Sequence, residues 1–138
     1  MLMTPLEFIS RRTGSSKLVY LKDILEYPLL GIIVQTDLLH DKPDQVKKVL
    51  IGALRGIAFA KSRREEAVPL LKDFIGLETR EMAEKAYDQL RDIWPDDGMP
   101  TEKGLKNVAS MAEVPAHVPM EKIVDWTLIK EAAGERSK

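Results

Sequence analysis

The 138-residue sequence has no cysteine. That absence removes disulfides, thiolate metal ligands and cysteine nucleophiles together, and leaves the redox compartment open. Histidine is scarce too. His40 and His117 lie far apart, without the His-Glu spacing of a helical metal site, so both read as exposed side chains and no metal is expected. No apolar run approaches the ~20 residues of a membrane span. The opening "MLMTPLEFISRRTG" has no basic region followed by an apolar stretch, so no export signal is read there. None of Ser10, Ser15, Ser16, Ser62, Ser110 and Ser137 sits in a G-x-S-x-G elbow. Asp96 and Asp97 precede Gly98, which suits a turn better than a carboxylate pair for acid–base work. Gly52 and Gly56 lie in no strand–loop–helix glycine pattern, and close helix packing is the simpler reading than a phosphate loop. These absences point away from an enzyme and from any cofactor.

What is present is an ordinary soluble composition, 44% hydrophobic with 6% aromatic residues. A globule of this length buries roughly 70% of the surface its unfolded chain exposes, enough for a core without staples. Net charge is −1, yet Lys42 to Arg64 holds seven Lys or Arg against Asp44 alone. Helical spacing places Val46, Val49, Leu50, Ala53, Ile57 and Ala60 within one arc, with Lys47, Lys48, Arg55 and Arg63 opposite. The basic residues are then the wet face of a core-packing helix. Only Phe59 is near enough to stack on a base, so no nucleic-acid partner is expected.

Along the chain, Thr4 and Pro5 suit the start of a short helix carrying Leu6, Phe8 and Ile9 and ended by Gly14. "KLVYL", 17–21, reads as a strand. "LLGIIVQ", 29–35, is a continuous apolar, β-branched run after Pro28, the pattern of an interior strand covered on both faces. Thr36 and Asp37 cap a short turn, "DLLHD", and Pro43 with Asp44 begins a long helix ending near Ser62. A helix over Glu65–Ile75 presents Ala67, Val68, Leu71 and Phe74, despite Pro69, and stops at Gly76. Thr79–Ile93 presents Met82, Ala83, Ala86, Leu90 and Ile93, with Tyr87 and Trp94 at or beside that face. Thr101 caps a helix to Met111, "VPAHVP" is an extended connector, and Met120 to about Ala133 is a last helix in which Trp126 packs in the core or at an interface. The class is α/β and helix-rich, about two strands followed by about five helices. Two strands alone cannot satisfy a sheet covered on both faces, which makes pairing with a second copy or a complementary half the natural completion.

The ordered series "YPLLGIIV", "KPDQVKKVLIGALRGIAFAK", "REEAVPLL", "DDGMPTEKGLKNV" and "IVDWTLI" resembles the carboxy-terminal half of the substrate-binding proteins of ABC importers. The branch is the one that handles nitrate, sulfonate and taurine, and thiamine-precursor pyrimidines. The resemblance runs from about Pro5 to Ala133. It implies a partial periplasmic-binding-protein type II fold: residues 1–28 as a remnant of the second lobe, and residues 29–138 as the crossing strand and helices of the first lobe, in one compact unit. Family members are about twice as long and begin with an export signal, so the resemblance implies a truncated or half-length form. Its compartment is extracytoplasmic by the family and cytoplasmic if the chain is complete.

The resemblance further implies a small nitrogen- or sulfur-containing solute as ligand, with importer membrane subunits as partners. Tyr27, an aromatic ring with a hydroxyl just before the crossing, and Gly31, open to close backbone approach, are the candidate ligand-binding residues, with a hinge and core-packing role as the weightier alternative. A reading from a different class stands beside it, a helical dimerisation or partner-docking domain that binds no small molecule.

Overall fold

A computed structural model describes residues 14, 19, 23–28, 31–115 and 117–135. They hold six α-helices: α1 (Thr36–Asp41), α2 (Pro43–Ser62), α3 (Arg64–Ile75), α4 (Arg80–Leu90), α5 (Glu102–Met111) and α6 (Thr127–Glu135). Short 3-10 turns occur at Arg91–Ile93 and Met120–Lys122. The helix-rich character expected from the sequence is observed.

The two expected strands are not found among the described residues. The short opening helix lies outside them, as does "KLVYL" apart from Val19, which is in no regular element. Of the 29–35 run, residues 31–35 are irregular, and Ile33, expected in a covered sheet, is 95% exposed. A strand needs neighbouring backbone donors and acceptors, and among the described residues no strand lies beside 31–35.

Two units emerge from the contacts. The first comprises the described residues of Met1–Tyr20 and Gly56–Pro95, the second those of Leu21–Arg55 and Asp96–Lys138. The boundary falls within α2.

In the first unit, α3 and α4 form a helical hairpin. Gly76 ends α3 in the left-handed conformation (φ 76°), where its own N–H and that of Leu77 both bond to the Lys72 carbonyl. Thr79 then caps α4, its hydroxyl accepting from Met82 N–H at 3.2 Å. Between the two helices Val68, Leu77, Ala83, Ala86 and Tyr87 are buried, with Leu71, Ile75 and Met82 packed against them. The small alanines let the helices approach, and Tyr87 fills the remaining space. Its hydroxyl donates to the Ala60 carbonyl at 2.6 Å, in the last turns of α2, while Arg64 lies over its ring at 5.7 Å. Lys61 donates to the Trp94 carbonyl at 2.9 Å. Outside, Arg80 bridges Glu65 and Glu84, and Arg64 pairs with Asp88 at 3.2 Å. Pro69 sits inside α3, leaving the Glu65 carbonyl without its i+4 amide partner.

The second unit packs around Leu54, which is fully buried. Leu54 was not on the expected apolar arc. The buried face of α2 is rotated from that arc, toward Val46, Leu50 and Leu54, and leaves Val49 60% exposed. Lys47, expected on the wet face, instead reaches Glu131 at 3.5 Å and Glu135 at 3.1 Å in α6. Gly98 (φ 72°) passes close to this core, where a Cβ would stand 3.0 Å from Leu54 Cδ2. The last helix also begins later than expected. Asp125 Oδ1 accepts from Thr127 N–H at 2.8 Å, starting a new helix there and separating it from the Met120–Lys122 turn. The connector before it is not extended throughout, since Val118 N–H bonds back to the Pro115 carbonyl.

The glycines divide by physical role. A Cβ added at Gly52 or Gly56 meets no atom within 4 Å among the described residues, so no close packing is seen at either there. Gly52→Ala should stabilise the protein by up to about 1 kcal/mol through helix propensity. Gly98→Ala should destabilise it by about 1–2 kcal/mol, from the left-handed backbone alone, with crowding of Leu54 adding to the loss. Urea unfolding midpoints of the two variants, moving in opposite directions, check both.

Candidate functional site

Each unit carries an open recess. In the first unit an apolar groove of about 400 Å³ runs along the side of α3 that the hairpin core leaves free. Phe59, Leu70, Phe74 and Trp94 stand around it, and Tyr87 contributes to its floor. Phe74 is 90% exposed and Leu70 61% exposed. Phe74 was expected to share the buried face with Ala67, Val68 and Leu71. The packing shows why it does not: α3 turns Ala67, Val68, Leu71 and Ile75 toward the hairpin core, while Leu70 and Phe74 lie on an adjoining apolar strip that α4 does not cover. The i, i+4 spacing of Leu70 and Phe74 was the available signal. Tyr87 cannot swing away from the floor without losing the bond to Ala60.

In the second unit a recess of about 560 Å³ lies where the Asp97–Thr101 turn meets the start of α5, the Met120 turn and the start of α6. Trp126, Met99, Leu105 and Met120 supply apolar wall. Asp97, Glu102 and Glu121 bring carboxylates, and Lys130 one ammonium. Trp126, half-buried just before α6, is part of this recess wall.

The two residues expected at a ligand occupy neither recess wall. Gly31 stands open, and a Cβ there would meet no described atom within 4 Å. Tyr27 is 37% exposed in an irregular stretch that is fastened on either side. On one side the Glu26 carboxylate accepts from the Thr101 hydroxyl at 2.6 Å and from Lys103 at 3.3 Å, while its carbonyl accepts from Asn107 at 2.8 Å. The same Thr101 oxygen accepts the Gly104 N–H at 3.0 Å, so the helix cap and the carboxylate form one relay. On the other side Pro28 lies against Gly104, where a Cβ would come within 3.1 Å of Pro28 Cδ. The helix cap at Thr101 was legible in the sequence; its long-range acceptor was not.

Among the described residues, no group of three or more histidine, aspartate or glutamate side chains is placed to hold a metal ion. No helix of the described residues is long and apolar enough to cross a membrane. The chain matches no family model, no curated protein and no solved structure.

The Thr101 hydrogen bond, followed by Lys103, holds the Glu26 carboxyl below its ordinary value of 4.5. A depressed carboxylate stabilises the fold above its unfolded value and loses that contribution as pH falls through the lower folded one. Glu26→Gln should therefore lower stability at neutral pH, and the gap from the parent protein should close as pH drops below about 4.5. Thermal unfolding of both proteins between neutral and acid pH measures this; a pH-independent gap would contradict the relay.

Proposed function

We propose that this protein is a helical self-association module in which the α3 faces of two copies meet. The observation that carries the reading is the pairing of a knob and a hole on one surface: Phe74, almost wholly exposed, stands beside an apolar groove bounded by Phe59 and Trp94. A two-fold interface requires a patch that fits itself. Here Phe74 of each copy would enter the other's groove, with Leu70 beside it. Removing a Phe or Leu side chain from water is worth about 1.5–3 kcal/mol, and two copies double the gain. Association costs roughly 4–15 kcal/mol, so the balance favours a reversible dimer rather than a permanent one.

Light scattering over a range of concentrations should give a monomer–dimer equilibrium. Phe74→Glu should leave the circular dichroism unchanged and return the protein to monomer at every concentration. A monomeric parent protein, or a Phe74→Glu variant that dimerises as before, would remove the reading.

A second reading, the solute-binding component of an importer in half-length form, is supported by the 560 Å³ recess in the second unit, within the ~300–1,000 Å³ span of small-molecule sites. On this reading the α/β fold is completed only in an assembly. The 29–35 run would take strand form when a second copy or a complementary half offers it a strand edge. Calorimetric titration with nitrate, taurine, alkyl sulfonates and aminopyrimidines, alone and with importer membrane subunits, tests it. Saturable heat from any of these solutes supports it, and silence from all of them sinks it.

A further inference from the structure

The geometry points to the second unit's recess as a binding site for a small organic cation, an amine or quaternary ammonium with a flat or apolar body, seated against Trp126. The inference rests on the cavity and its walls and is independent of self-association through Phe74. Its volume, about 560 Å³, accommodates such a molecule with room for water.

Three features of the lining select the class. The first is Trp126, half-buried just before α6 and part of the recess wall. Indole is the ring that attracts a cation most strongly. The second is the apolar wall of Met99, Leu105 and Met120, which removes hydrocarbon from water; the thioethers adapt to an irregular outline. The third is charge. Three carboxylates, Asp97, Glu102 and Glu121, face one ammonium, Lys130.

The carboxylates are differently engaged. Asp97 is held by the Met99 N–H at 2.9 Å, and Glu102 is paired with Lys106 at 2.6 Å. Glu121 has no ion-pair partner among the described residues and is the carboxylate left to meet an incoming cation. An anion would meet the opposite balance: with Glu102 offset by Lys106, the Asp97 and Glu121 carboxylates oppose it and Lys130 attracts it. Of the solutes named for the importer reading, nitrate and alkyl sulfonates are therefore disfavoured in this recess, and an aminopyrimidine, with its basic nitrogen, is favoured.

The probe is benzyltrimethylammonium, with benzenesulfonate as an anion of similar aromatic size, titrated into the full chain by calorimetry and followed at the Trp126 indole N–H by NMR. Saturable binding of the ammonium with a shift of that resonance, and none of the sulfonate, is expected. Glu121→Lys, a surface change, should weaken the ammonium roughly tenfold by reversing one nearby charge in a partly screened site. Trp126→Leu should abolish binding. If that variant loses its helical spectrum, Glu121→Lys decides alone. Absence of saturable ammonium binding, equal affinity for the sulfonate, or an unchanged affinity in Glu121→Lys would each overturn the assignment. Phe74→Glu should bind the ammonium as the parent protein does, which separates failure of this site from failure of the self-association interface.

Discussion

Tyr87 is the largest fully buried side chain among the described residues, and the other members of its cluster are mostly small: Ala67, Ala83 and Ala86, with Val68 and Leu77. That constraint governs the first unit. Alanines at the α3–α4 contact allow close approach, but they offer little area, so one bulky residue must fill the space and its polar end must be satisfied. The Ala60 carbonyl does that, and in doing so ties the hairpin to the end of α2. A core so economical in large side chains leaves other large side chains uncovered. Phe59, Leu70 and Phe74 are exposed because the small core has no place for them, and their exposure is what makes the α3 face an interface candidate.

The second unit solves the same shortage by different means. Around Leu54 it uses a turn glycine, Gly98, and around Gly104 it brings in a proline. Polar links extend these contacts. Lys47 spans to two glutamates of α6, and Glu26 to the first turn of α5. The surface ion pairs contribute little individually. The Glu26 relay is of another kind, because one hydroxyl serves both a helix cap and a distant carboxylate, fixing a stretch of chain that has no regular structure of its own. The start of α5 is fixed by the Thr101 side-chain cap, and the turn into α6 by the Asp125 carboxylate, which accepts the Thr127 N–H. The recess walls are thus held by local chemistry as well as by packing.

Two of the functional readings depend on separate parts of the molecule. Self-association belongs to the α3 stripe, and small-molecule binding to the turn and helix starts around Trp126. The importer resemblance drew its weight from an ordered series of segments, with no single diagnostic motif, and expected residues 29–35 as a crossing strand. Of that stretch, residues 31–35 are irregular and Ile33 is exposed.

The sequence by itself determined α2 to α5 and most of their ends, while α1 stands where a capped turn was expected and α6 starts later than expected. Pro43 and Asp44 opened α2, Thr79 and Thr101 supplied caps, and Gly76 supplied a left-handed stop, because each acts through its own backbone within one turn. It also placed Ala83, Ala86 and Tyr87 on a core face, since a single apolar stripe at helical spacing has one way to be buried. The tertiary structure decided what required a partner element. It chose Leu54 over Val49, Val68 over Phe74, and an irregular course for residues 31–35, because a helix with two apolar stripes can bury only the one its neighbour covers and a strand exists only beside another. The candidate sites fall on that second side: Phe74 is a surface residue and Trp126 a wall of a recess only once the packing has allotted the rest.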